Sequence, residues 1–286
     1  MHGARDAAPL LALLLLAPLA WAQEAPAQPA SFLAYRPEGD TRDALATPLA
    51  PPPFEATRLP ATRIDRVGVA SSAPENRPES APAHYREMLR LVQAAEAEGA
   101  PLALVVDGRA APGSLSLRVE ARPQGAAPPA EVAVSLVLFE HGVVVAGRAH
   151  PYVARFALAP ETLAVPGNAS FDVRLDPSWS LDRVGVVAIA ARDGRVVQSA
   201  TWLPRQDAPT VQQAKAALVE HVTATWCSPC APADDAFVLL ATQRGAAGAL
   251  PSDGHASYLR APTGWLWAGL ALGALAAVAL VGRRRA

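Results

Sequence analysis

Between Pro101 and Trp202 the apolar residues recur at every second position, in short runs that each end in turn-forming residues. A period of two sends alternate side chains to opposite faces of an extended chain, so these runs read as half-buried strands rather than helices. Strands are expected near Leu102 to Val106, Ser114 to Ala121, Glu131 to Glu140, Val143 to Ala146, Tyr152 to Ala157, Ser170 to Leu175, Val184 to Ala191 and Val196 to Trp202. Asp107-Gly108, Pro112-Gly113, Pro128-Pro129, His141-Gly142, Pro166-Gly167-Asn168 and Asp193-Gly194 mark the turns between them. Strands this short and this evenly spaced predict an antiparallel β-sandwich, with Leu115, Leu117, Val132, Val134, Leu136, Phe171, Val173 and Val186 facing inward.

Upstream the period changes. From Ala83 to Glu98, Tyr85, Met88, Leu89, Val92 and Ala95 fall at three- and four-residue spacing, opposite Arg86, Glu87, Arg90 and Glu96, so an amphipathic helix ending at Gly99 and Pro101 is expected. Residues 23–82 are dense in Pro and Ala and read as an extended region, with one short alternation at Arg63 to Val69. At the N-terminus Arg5, the apolar run Ala7 to Ala20 and Ala20-Trp21-Ala22 read as a signal peptide over residues 1–22. At the other end Gly264 to Gly282 is uncharged, opens with Trp265 and Trp267, and is followed by Arg283-Arg284-Arg285. This predicts a transmembrane helix over 264–282 with a basic cytoplasmic tail at 283–286. The organisation expected is therefore a helix plus sandwich domain over 83–203, a second segment over 211–245, a juxtamembrane linker over 246–263 and a membrane anchor. The body would lie outside the cytoplasm, on the cell membrane.

The second segment carries the chemistry. Cys227 and Cys230 are the only two cysteines in the chain, spaced C-x-x-C between Ala216 to Ala224, which reads as a strand or as the end of a helix begun at Val211, and a helix-like run, Ala231 to Gln243. At a helix start that spacing permits a disulfide, places the first sulfur near the positive end of the helix and buries the second. Cys227 would then attack and Cys230 resolve the mixed disulfide, with Pro229 stiffening the turn and Trp226 beside it. A static bridge in an oxidising compartment is the alternative reading.

Leu218 to Cys230, with Ala233-Asp234-Asp235-Ala236 after it, resembles the first strand, active-site turn and helix of thioredoxin-like proteins. Phe139-Glu140-His141-Gly142, His150 to Arg155 and Pro177-Ser178-Trp179 resemble the immunoglobulin-like β-sandwich module that some secreted thioredoxin-like proteins carry. The resemblance implies thiol-disulfide chemistry on exported proteins. It also implies a longer fold around the cysteines, including a strand preceded by a cis-proline opposite the disulfide. Too little chain follows Cys230 for that, so the expectation is a partial thioredoxin-like β-α segment, or one completed by Arg63 to Val69 and the helix Ala83 to Glu98. No proline is assigned the cis role.

Other chemistries find little footing. The net charge of -1 offers no basic face for nucleic acid. A zinc site needs two ligands beyond the cysteines and only His221 is near, so no metal is expected. Haem attachment through C-x-x-C-H is excluded by Ala231, and no cofactor is expected. His141 and His150 flank a strand pair and read as polar surface; Asn168-Ala169-Ser170 fits a glycosylation sequon. Two functions stay open. One is a membrane-anchored thiol-disulfide oxidoreductase acting on the thiols or disulfides of exported proteins. The other is a non-enzymatic cell-surface binding or spacer module with a structural disulfide.

Overall fold

The computed structural model describes residues 30–37, 43, 45, 47, 50, 59–66, 68–70, 80–145, 148–204 and 208–245. The expected signal peptide, juxtamembrane linker, transmembrane helix and basic tail lie outside the described residues. No helix among the described residues is long and apolar enough to cross a membrane.

The protein is mainly β. The strands are β1 (Ser31–Tyr35), β2 (Ala61–Ile64), β3 (Gly68–Ala70), β4 (Leu102–Ala111), β5 (Ser114–Pro123), β6 (Glu131–Glu140), β7 (Val143–Val145) and β8 (Arg148–His150). They continue with β9 (Val153–Ala157), β10 (Glu161–Ala164), β11 (Gly167–Arg174), β12 (Val184–Arg192), β13 (Arg195–Trp202), β14 (Thr210–Gln212) and β15 (Leu218–Val222). Among the described residues two α-helices complete the set, α1 (Ala81–Ala97) between β3 and β4 and α2 (Ala231–Arg244) after β15.

The period-two runs fold as strands, and their turns form for stated reasons. Asp193 and Gly194 both have positive φ and link Arg192 to Arg195, the two-residue geometry whose twist suits a hairpin. Gly113, at φ 74°, follows Pro112 and closes β4 onto β5. Two expected turns are strand instead. Asp107-Gly108 lies inside β4, because Gly108 is a close-approach residue: a Cβ there would stand 2.7 Å from Trp202 and 2.8 Å from Leu117. Gly167 and Asn168 likewise belong to β11, paired with Ala121 and Glu120.

One four-stranded sheet runs β11-β5-β4-β14 and packs face to face on β6, β10, β12 and β13. Leu104, Val106, Leu117, Val119, Leu136, Leu138, Val186, Ala188 and Trp202 fill the space between them. The second sheet does not stop at the sandwich. It runs β13-β12-β6-β9-β1-β15-β2-β3, with β10 also on β6, and it is mixed: β1 lies parallel to β15 and to β9, while β2 is antiparallel to β15. Within the sandwich every pairing is antiparallel, as expected; the parallel pairs all involve β1, which precedes it. Strand β12, Val184–Arg192, is buried at every position but its last, because its second face is covered too. Val137, Phe139, Val187, Ile189 and Val196 look away from the sandwich into a second core with β1, β15, α1 and α2. Phe139, Tyr152, Phe32 and Phe237 carry this core across the join, with ring centroids 5.1, 5.7 and 5.6 Å apart in succession.

The reading of residues 23–82 as an extended region is corrected by β1, β2 and β3. Ser31–Tyr35 is buried along its whole length, so it has no alternation for a period-two reading to find. These strands and α1 precede the sandwich, and β15 and α2 follow its last strand, β14; the sandwich is thus inserted between two halves of one α/β unit. Helix α1 spans 81–97 with the expected face turned inward. Met88, Val92 and Ala95 are buried and Tyr85 and Leu89 partly so, the fully buried Met88 and Val92 each contributing about 1.5–3 kcal/mol. Its register against α2 is held by Tyr85 Oη, which donates to Gln243 Oε1 at 2.5 Å, and by the Arg244–Glu96 ion pair.

Candidate functional site

Strand β15 is central, buried at all five positions and flanked by β1 and β2. Alternation sends Val219 and His221 to the face covered by α2 and Leu218, Glu220 and Val222 to the other. Beyond it Thr223 N–H donates to Tyr35 O at 3.1 Å, and Cys227 N–H donates to Ala224 O at 3.1 Å, closing a turn over Thr225 and Trp226. A single 3-10 turn, Ser228–Cys230, then leads into α2; Cys227 caps the turn and Cys230 caps the helix.

The two cysteines, expected together, form a disulfide with their Cα atoms 5.3 Å apart. Cys230 is fully buried and Cys227 is 8% exposed, so the first sulfur is less open than a freely attacking one would be, while Trp226 is 43% exposed beside it. Pro229 occupies the second position of the 3-10 turn. Ala224 and both cysteines pack together, and Leu59 lies against them. Leu59–Pro60 is a cis peptide bond at the entrance to β2.

A buried polar network lies behind the turn. His221, 1% exposed, sets Nε2 3.0 Å from Asp234 Oδ1 and Nδ1 2.8 Å from Thr62 Oγ1, and its ring stacks on Phe237 with centroids 5.0 Å apart. Thr223 Oγ1 donates to the same Asp234 oxygen at 2.7 Å. Burial pushes the Asp234 carboxyl up, but the hydrogen bonds from His221 and Thr223 and the charge of Arg36 outweigh it, and the net shift is downward. Asp234 stands one helical turn beyond Cys230, on the same side of α2. His84 is lowered by burial and by His221.

On the opposite face Glu220 is fully buried, with Arg66 Nε and Nη2 at 3.3 and 3.4 Å. Burial raises its pKa against the pull of Arg66, and Tyr35, buried and hydrogen-bonded to Glu220, is raised as well. Lys215, the only lysine, pairs with Asp65 at 2.7 Å in a buried bridge.

Arg36 is 3% exposed and donates Nη2 to His150 Nδ1 at 3.0 Å, while its Nε and Nη1 find no acceptor among the described residues. Burial lowers its pKa and the nearby Asp43 and Asp234 oppose that. His141 and His150, read as surface polar residues, are both buried; His150 takes the Arg36 bond. Sequence reasoning did not find Asp43, Asp234, Arg36, Thr62 or Leu59 as site residues. The only local signal was the four-residue step from Cys230 to Asp234. Among the described residues no three His, Cys, Asp or Glu side chains gather as a metal site.

No family model and no curated protein matches this chain. Among solved structures it is similar to HBP35 of Porphyromonas gingivalis, at 8% identity and a TM-score of 0.38, over 49% of this chain and 50% of that one. The match thus spans about half the length of that structure.

Proposed function

We propose that the protein is a membrane-anchored, extracytoplasmic thioredoxin-like protein with an immunoglobulin-like β-sandwich inserted into it, and that it exchanges disulfides with exported proteins. The observation that carries this reading is the Cys227–Cys230 bridge across the first turn leading into α2, at the end of a central strand, beside the exposed Trp226. Strand β2, entered through Leu59–Pro60 and reaching the disulfide through Leu59, supports it, as does α1 against α2. That β1, β2 and α1, from before the sandwich, pack beside β15 and α2 supports it too. The apolar run 264–282 and Arg283-Arg284-Arg285 support the anchor.

The chemistry balances without a cofactor. A client thiolate attacks Cys227 Sγ, the Cys227–Cys230 bond breaks, and Cys230 leaves as a thiolate that takes up a proton. A second client thiolate then attacks the client sulfur of the mixed disulfide and releases Cys227, so the client loses two electrons and the protein gains them. Run backwards, the same steps reduce a client. The start of the helical turn favours a thiolate at Cys227. In the reduced protein, iodoacetamide should therefore label Cys227 well below the ordinary thiol range, about pH 8.5, and Cys230 slowly. Equal, sluggish labelling of both would refute the reading. The second reading, a static bridge in a surface module, is favoured by the 8% exposure of Cys227; the same labelling decides between them.

A further inference from the structure

The Thr225 side chain is exposed, yet its backbone is tied down. Its N–H donates to Asp43 Oδ2 at 2.7 Å, and the other oxygen of that carboxylate accepts Leu45 N–H at 2.9 Å. Asp43 is itself 4% exposed. We propose that Asp43 is a positioning residue for the Cys227 turn, through which the β-sandwich holds the redox pair in place. The proposal rests on the redox reading of Cys227 and Cys230.

Thr225 is the first central residue of the turn closed by Cys227 N–H on Ala224 O. A carboxylate bonded to its N–H fixes where that turn lies, and so where Cys227 stands relative to Leu59 and Cys230. Leu45, whose N–H Asp43 accepts, is held from the sandwich side. Arg155, on β9, donates Nε to Glu140 of β6 at 2.8 Å and Nη1 to Leu45 O at 3.4 Å. Arg36, whose charge faces both Asp43 and Asp234, donates to His150 at the end of β8. The path from Glu140 through Arg155, Leu45 and Asp43 therefore ends two residues before Cys227.

In the oxidised protein the disulfide itself restrains Cys227. In the reduced protein that restraint is gone, and Asp43 becomes the main hold on the turn that presents the thiolate to the helix start. Loss of Asp43 should weaken the reduced state more than the oxidised one.

The test uses the full-length protein and its Asp43→Ala, Asp43→Asn and Arg155→Met variants. It reads the disulfide equilibrium against a glutathione buffer and the pH dependence of Cys227 alkylation. Asp43→Ala should make the disulfide about tenfold harder to reduce and move alkylation to higher pH, since one charge-assisted hydrogen bond is lost mainly from the reduced state. Asp43→Asn, which keeps an acceptor, should return both readings to within about threefold of wild type. Arg155→Met should move both in the direction of Asp43→Ala, by less. If Asp43 acted only through its charge, Asp43→Ala and Asp43→Asn would both move alkylation to lower pH, and that result overturns the proposal. So do wild-type values in a folded Asp43→Ala protein, and an inert Arg155→Met removes the sandwich from the path. Hydrogen exchange over residues 224–227 gives a reading independent of redox activity: it should quicken in Asp43→Ala. If wild type fails to exchange with glutathione, the redox reading falls, while the exchange data still judge the hold of Asp43.

Discussion

The two halves of the α/β unit, far apart in sequence, are joined by several ion pairs, and breaking the most buried of them should be costly. Lys215 Nζ lies 2.7 Å from Asp65 Oδ2 and donates to Val196 O at 3.2 Å; the two side chains are 2% and 6% exposed. Asp65 also meets Leu218 twice, accepting its N–H at 2.7 Å and donating its own N–H to Leu218 O at 2.9 Å, and its carbonyl takes Val196 N–H at 3.4 Å. Lys215→Met removes the cation and leaves a carboxylate with nowhere to find water. At such burial the cost is that of an unpaired buried charge, about 3–5 kcal/mol, rather than that of a surface pair. Asp65 is already raised above 3.8 by burial, against the pull of Lys215. The variant should raise it further. A raised folded-state carboxyl loses stability as pH climbs through its folded value, so Lys215→Met should be nearest to wild type in acid, below the unfolded value near 3.8. Urea unfolding across pH measures this, and Asp65→Asn with Lys215→Met should recover part of the loss. A cost below about 1 kcal/mol with no pH trend would refute the reasoning.

Three further outcomes are expected. Gly108→Ala should lose about 1–3 kcal/mol in urea unfolding, because the added Cβ meets the fully buried Trp202 at 2.7 Å and Leu117 at 2.8 Å. A fragment of residues 80–205 should bind a hydrophobic dye and melt without a sharp transition, since Val137, Phe139, Val187, Ile189 and Val196 lose the core they pack into; a cooperative melt would contradict the shared sheet. Asp234, whose net shift is downward, contributes stability that is present above the unfolded value near 3.8 and lost as pH falls through its folded value. Asp234→Asn should accordingly be less stable than wild type at neutral pH, with the gap closing in acid.

What the sequence made legible follows from which contacts are local. The strands of the sandwich announce themselves because one face of β5, of β11 and of the first half of β6 is wet, and helix α1 because its inward stripe faces away from a charged side. The cysteine pair is legible because its spacing is its chemistry. Strand β1 is not, because Ser31–Tyr35 is buried on both faces and shows no period. Nor is its parallel pairing with β15, which joins residues on either side of the inserted sandwich. The same distance hides the supports of the turn: Asp43 meets Thr225 across 182 residues and Thr62 meets His221 across 159. Asp107-Gly108 misleads because a glycine needed for close approach in a strand looks, in one dimension, like a glycine needed for a turn.

The central claim is that the disulfide is exchanged with other proteins rather than held as a staple. It is tested most directly by expressing Cys230→Ser and Cys227→Ser in the native host, quenching with acid and resolving disulfide-linked adducts on non-reducing gels. With the resolving sulfur gone, Cys230→Ser should accumulate mixed disulfides with client proteins through Cys227, whereas Cys227→Ser should accumulate few or none. Two adduct-free variants, each folded and present at wild-type level, would contradict the account and leave the static surface module in its place.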